Sequence, residues 1–152
     1  MTLRSLHRVQ SLPVSLPAAW DFFSDPANLA RITPPWLRFR IVTRKPGPMF
    51  AGQILSYKVR ALPGLDVRWV TEITHVREPS FFVDEQRLGP YRFWHHKHHF
   101  RPVEGGVEVE DEVHYALPCW PLGELAGGFV ASRLEAIFDF RREVLEGLFG
   151  RF

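Results

Sequence analysis

Residues 122–149 read LGELAGGFVASRLEAIFDFRREVLEGLF, and the spacing of their apolar side chains dictates what the rest of the chain must build. Leu122, Leu125, Phe129, Val130, Leu134, Ile137, Phe138, Val144, Leu145 and Leu148 recur mostly at helical intervals. At 3.6 residues per turn these positions form one broad stripe, which has to be buried. Arg133, Glu135, Asp139, Arg142, Glu143 and Glu146 cover much of the other side. The spacing predicts one long amphipathic helix from Leu122 onward. Gly127-Gly128 weakens its first turns, because glycine costs about 1 kcal/mol relative to alanine inside a helix.

Upstream, the period changes to two. LRFRIVTR (37–44), QILSYKVRAL (53–62), DVRWVTEITHV (66–76), SFFVDEQRL (80–88), RFWHHKHHFRPV (92–103) and VEVEDEVHYAL (107–117) all read as strands. In the first of these, Leu37, Phe39 and Ile41 face one way and the arginines largely the other, as in a half-buried antiparallel strand. Pro46-Gly47-Pro48, Pro63-Gly64, Gly89-Pro90 and Gly105-Gly106 supply turns between strands. Six strands joined by short connections make a meander. Before them, LRSLHRVQSLPV (3–14) reads as another strand. Two short helices follow it. Ser15 caps the first, with Pro17 in its opening turn; Asp25 caps the second, with Pro26 at its first position. Thr33-Pro34-Pro35 ends the second helix, because a residue before proline is pushed out of the helical region.

A chain of 152 residues suits one domain, here 1–152, without repeats or linkers. Apolar residues make up 45%, with 13 Phe and 5 Trp, an aromatic interior able to line a pocket as well as fill one. The net charge of +2, without a Lys/Arg block, disfavours nucleic acid as a partner. Cys119 is the single cysteine, which excludes an intramolecular disulfide; a buried structural thiol is expected there. The N-terminal residues lack a signal-peptide core and no apolar run is long enough to span a bilayer, so a cytoplasmic protein without integral membrane contact is expected.

Strand, two short helices, meander and long C-terminal helix resemble the START-like helix-grip superfamily (SRPBCC), which includes the birch pollen allergen. The stretches FFVDEQRLGPYRFWHHKHHF (81–100), VEDEVHYALP (109–118 in VEVEDEVHYALP) and LGELAGGFVASRLEAIFDFR (122–141) resemble a bacterial ligand-binding branch of it. The resemblance implies an α+β fold, with a curved antiparallel sheet of about seven strands gripping the C-terminal helix around an internal cavity. It also implies a small hydrophobic ligand. Members bind lipids, sterols, quinones or polyketides, and some catalyse cyclisation or dehydration. It does not imply which ligand, because one fold hosts many functions.

FWHHKHHF (93–100) holds four histidines, and strand alternation divides them. Trp94, His96, His98 and Phe100 share a face with aromatic ends, expected to be concave. His95, Lys97 and His99 take the other face. A three-residue hairpin loop at Gly89-Pro90-Tyr91 places Asp84 opposite His96 and Gln86 opposite Trp94; a two-residue loop would bring Glu85 beside Trp94. The first register is favoured because both strands then carry a polar centre between apolar ends. Asp111 interrupts the apolar row Val109, Val113, Tyr115, and Val67, Trp69, Thr71, Ile73 and His75 are expected to face inward.

Asp84, Gln86, His96, His98 and Asp111 therefore converge, with three readings. One is a satisfied polar network that orients a ligand's polar head. A second is a metal site, for which His-x-His alone is a weak signal; no metal and no cofactor are expected. A third is acid–base catalysis by Asp84, His96, His98 or Asp111 in a cyclase, dehydratase or hydrolase. Phe39, Trp69, Phe82, Trp94, Phe100, Tyr115, Phe129 and Ile137 are the expected apolar lining. An interaction module whose cavity is filled by its own side chains remains a further alternative. Trp20, Phe22 and Phe23 are expected under one end of the sheet, with a pocket rim as the alternative, and Trp36 is expected to close that end. Trp120 is placed at the cavity mouth, where Gly127-Gly128 suits either a gate or tight packing. The arginines of Arg38–Arg44 should form a solvated outer face, with weak electrostatic contact to an anionic membrane surface as the alternative.

Overall fold

A computed structural model describes residues 1–152 except Lys45 and Trp120. The elements run β1 (Arg4–Leu12), α1 (Leu16–Phe23), α2 (Pro26–Arg31), a 3-10 turn (Pro35–Leu37), β2 (Arg40–Ile41), β3 (Gln53–Leu62), β4 (Leu65–Arg77), β5 (Phe81–Leu88), β6 (Phe93–Val103), β7 (Gly106–Ala116), a second 3-10 turn (Leu122–Ala126) and α3 (Gly127–Phe149). The strands form one antiparallel sheet in the order β1-β7-β6-β5-β4-β3-β2. The meander thus runs β2 to β7, and β1 returns to pair with its last strand from Arg4↔Tyr115 to Leu12↔Val107. This is the expected α+β helix-grip architecture.

Both helix starts use the expected caps: Ser15 Oγ accepts from the Ala18 N–H and Asp25 Oδ1 from the Ala27 N–H. α1 buries Trp20 edge-on against Phe82 and Phe100, at centroid distances of 5.9 and 5.8 Å. This aromatic cluster closes one end of the sheet. α3 is held to β1 by Arg8, which pairs with Glu135 and Asp139, and by Arg142 Nη2, which donates to the Val9 carbonyl at 2.8 Å.

Four expectations need correction. The strand at 37–44 contracts to Arg40–Ile41, because the turn launched at Pro34-Pro35 runs through Leu37 and Arg38 takes a left-handed conformation (φ 45°). The inward alternation of Phe39 and Ile41 survives, and both pack beside Leu55, Tyr57 and Ile73. His75 faces outward and Val76 packs inward, because a register shift between Ile73 and His75 inverts the alternation. α3 begins at Gly127, not Leu122, and leaves Leu122, Leu125 and Phe129 72, 87 and 57% exposed. A side chain at Gly127 would meet the Arg4 guanidinium, whereas one at Gly128 would meet open space. Cys119 is exposed, in a turn with φ 57° between β7 and α3. Trp120 lies outside the described residues.

Candidate functional site

A cavity of about 800 Å³ lies between α3 and the concave face of the sheet. That is within the usual range for small-molecule sites, and most of its wall is apolar. Of the expected residues, Phe39, Trp69, Phe82, Trp94, Phe129 and Ile137 line it, as do Asp84, His96 and His98. The other four do not. Phe100 is 1% exposed and sits in the aromatic cluster under α1. Tyr115 is buried on β7 against Leu6, Val113 and Leu117. Gln86 turns into the β5–β6 hairpin, donating to the Tyr91 carbonyl at 2.7 Å and accepting from its N–H at 3.2 Å. Asp111 lies behind the histidines.

The floor follows from the strand register. Asp84 on β5 stands opposite His96 on β6, and His98 stands opposite Asp111 on β7. The expected register is thus adopted at Asp84, but pairing stops at Glu85↔His95, so Gln86 does not pair with Trp94 and four residues, 89–92, separate the strands. Each imidazole reaches a carboxylate diagonally across the ladder: His96 Nε2 to Asp111 Oδ1 and His98 Nε2 to Asp84 Oδ2, both at 2.8 Å. The two rings lie 3.7 Å apart, and Phe82 stacks on the outer face of His98 at 4.1 Å. Phe138 and Trp94 meet His96 edge-on. His95 and His99 point away from this floor, and His99 stacks on Phe81.

Arg141 of α3 completes the cluster, with Nη1 at 3.5 Å from Asp111 Oδ1. It is only 7% exposed and packs over the rings of Phe23 and Phe138. Arg141 escapes notice in the sequence beside Arg142, yet it carries a signal. Leu134, Phe138, Arg141 and Leu145 follow at intervals of four, three and four, so a cation occupies the buried stripe. Tyr57 and Tyr91 are further unanticipated members of the wall.

Burial by itself would push both carboxyls up. For Asp111 the Arg141 guanidinium and the histidine hydrogen bonds outweigh burial and hold it well below the usual value. For Asp84 the bond from His98 and the two imidazoles lower it. Burial and the neighbouring His98 push His96 down, whereas for His98 the bonds to Asp111 and Asp84 overcome burial and raise it. The physical cause is simple: two rings in contact cannot both carry charge, and His98 is the better placed to hold a proton. Burial, then the charge of Asp84, raises the Tyr57 hydroxyl, which stays a neutral donor.

Such a floor can donate hydrogen bonds to a ligand oxygen, move a proton, or coordinate an ion. Asp84, His96 and His98 each offer a donor atom within 4.8 Å of the others. The opposite end is apolar and open. Trp36 lies over the Arg133 guanidinium at 3.7 Å, with Phe129 on the same cation at 5.8 Å, and Leu62 and Leu65 border the cavity at about half exposure. Trp36 therefore pairs with α3 and does not join the Trp20 cluster. No described helix is long and apolar enough to cross a membrane.

Solved structures share this architecture. CV1439 from Chromobacterium violaceum superposes with a TM-score of 0.71 at 14% identity, over 100% of both chains. Protein Ms6760 from Mycobacterium smegmatis gives 0.70 at 16% identity, covering 97% of this chain and 96% of its own. Ara h 8.0201 gives 0.62 at 13% identity, covering 96% and 99%. Identities this low speak for the fold alone. No curated protein matches the sequence. Residues 12–137 match the family model described as polyketide cyclase / dehydrase and lipid transport, and the chain belongs to that family.

Proposed function

We propose that this protein binds a small, mostly apolar molecule between sheet and α3, with the molecule's polar end on the Asp84–His96–His98 floor. The observation that carries this reading is the pairing of an apolar cavity of about 800 Å³ with one buried, charged cluster at its base. Apolar walls reward burial of a ligand at about 25 cal/mol per Å², while a few fixed polar groups select and orient its head. The size of the cavity argues against a module filled by its own side chains. The family description, with its lipid-transport component, fits the same reading.

Native mass spectrometry of the purified protein, set against its denatured mass, tests this. A carried mass of a few hundred daltons that disappears on denaturation is the expected result. The bare chain mass, with no thermal shift across a broad panel of hydrophobic molecules, would overturn it.

A second reading, catalysis, draws on one observation: His96 is a base that faces the cavity and is held from behind by the Asp111 carboxylate. His96→Gln and His98→Gln separate the two. A binder loses affinity modestly, whereas a catalyst loses turnover of the identified ligand by orders of magnitude.

A further inference from the structure

The floor has a geometric peculiarity that a hydrogen-bonded network does not require. Each imidazole directs one ring nitrogen to Asp111 and the other to a single oxygen, Asp84 Oδ2. His96 Nε2 and His98 Nδ1 lie 2.8 and 3.1 Å from Asp111 Oδ1. His98 Nε2 and His96 Nδ1 lie 2.8 and 3.6 Å from Asp84 Oδ2. The last distance is beyond a hydrogen bond. With Nε2–H of His96 donated to Asp111, the Nδ1 lone pair faces a carboxylate oxygen. A cation placed there turns that repulsion into coordination.

From this arrangement we infer that Asp84 Oδ2, His96 Nδ1 and His98 Nε2 form a site for one first-row divalent cation of the zinc or ferrous-iron class. Two imidazoles and one carboxylate are a borderline donor set that suits such ions and does not suit calcium or magnesium. Asp111 supplies what a ligating histidine ordinarily needs, a carboxylate that accepts the other ring N–H of His96 and fixes that ring, while His98 Nδ1 lies 3.1 Å from the same oxygen. Arg141 in turn holds Asp111. The three donors line the cavity and Asp111 does not, so the remaining coordination positions open toward a bound molecule.

Charge specifies the ligand further. Among the described residues Asp111 has one arginine within ion-pair reach, Arg141, and Asp84 has none, leaving one negative charge when both imidazoles are neutral; a dication makes the floor singly positive. An anionic or ionisable oxygen on the ligand then completes both coordination and neutrality. This ligand class rests on the binding function proposed above, whereas the ion site does not.

The test is titration of the chelator-treated, refilled-buffer protein with Zn²⁺ by calorimetry and with Co²⁺ by visible absorption. One equivalent is expected, with micromolar or tighter affinity and the intense bands of four- or five-coordinate cobalt. His98→Ala and Asp84→Asn should abolish the bands, and Asp111→Asn should weaken binding about 10–100-fold. His98→Gln, closer in shape, guards against a variant that fails to fold. The outward pair is the control: His95→Ala with His99→Ala should leave stoichiometry and bands unchanged. Binding that survives His98→Ala but disappears with the outward pair overturns the proposal, as does six-coordinate, aquo-like cobalt or no binding. Because no organic molecule is used, failure here leaves the binding function standing, and loss of the carried mass leaves the ion site standing.

Discussion

The floor of the cavity buries charge, whereas its mouth exposes hydrocarbon. At the floor, Asp111, His96, His98 and Arg141 are each 7% exposed or less. At the mouth, Phe129, Leu65 and Leu62 are each about half exposed. Both depart from the usual sorting of side chains, in opposite senses. The difference lies in how each is compensated. Buried charge survives only with partners in place, so the floor is rigid and every member depends on the others. Exposed apolar groups need no partner, so the mouth can change cheaply and meets whatever enters.

That contrast can be broken at either end. Phe100→Ala, in the packed cluster beside the floor, is expected to cost about 3–5 kcal/mol in chemical denaturation, because the site is fully enclosed. Arg141→Met is expected to cost about 3–5 kcal/mol, since it leaves Asp111 buried without its cation. A loss below about 1 kcal/mol would mean that water reaches the floor and that the two ends differ less than their exposure suggests. Acid sharpens the same point. Asp111 and Asp84 have depressed folded values, so their contribution is complete above the unfolded carboxylate value and is lost as pH falls through the folded ones. The carboxylates' share of the stability of metal-free protein should therefore hold down to about pH 4 and be lost below, and Asp111→Asn should flatten that decline in denaturation curves across pH.

Smaller effects are expected away from the floor. Gln86→Ala removes both bonds that tie down the β5–β6 loop and should cost about 1 kcal/mol, seen with faster amide exchange at Tyr91. Phe129→Ala should change stability by less than about 0.5 kcal/mol while weakening retention of a carried ligand in native mass spectrometry. The same substitution at Phe100 and Phe129 thus measures the two ends directly. Equal costs would erase the distinction.

Periodicity and capping determine much of this protein within the sequence alone. The change from period two to period 3.6 locates the meander and the closing helix. Ser15 and Asp25 place two helix starts, and alternation along residues 93–100 sends His96 and His98 inward with His95 and His99 outward. These are local properties, set by backbone geometry within a few residues. What only the tertiary structure decides involves elements that meet from afar. The shift at Ile73–His75 that inverts His75, the enclosure of Phe100 and Tyr115 beneath other side chains, and the rotation of α3 that aims Arg141 at Asp111 are of this kind. A strand's alternation names a face but not the depth of what covers it. A helix stripe names an apolar side but not which neighbour sits across from its one cation. Depth and cross-element distance arise only when sheet and helix close on each other, and the floor of this cavity is made of both.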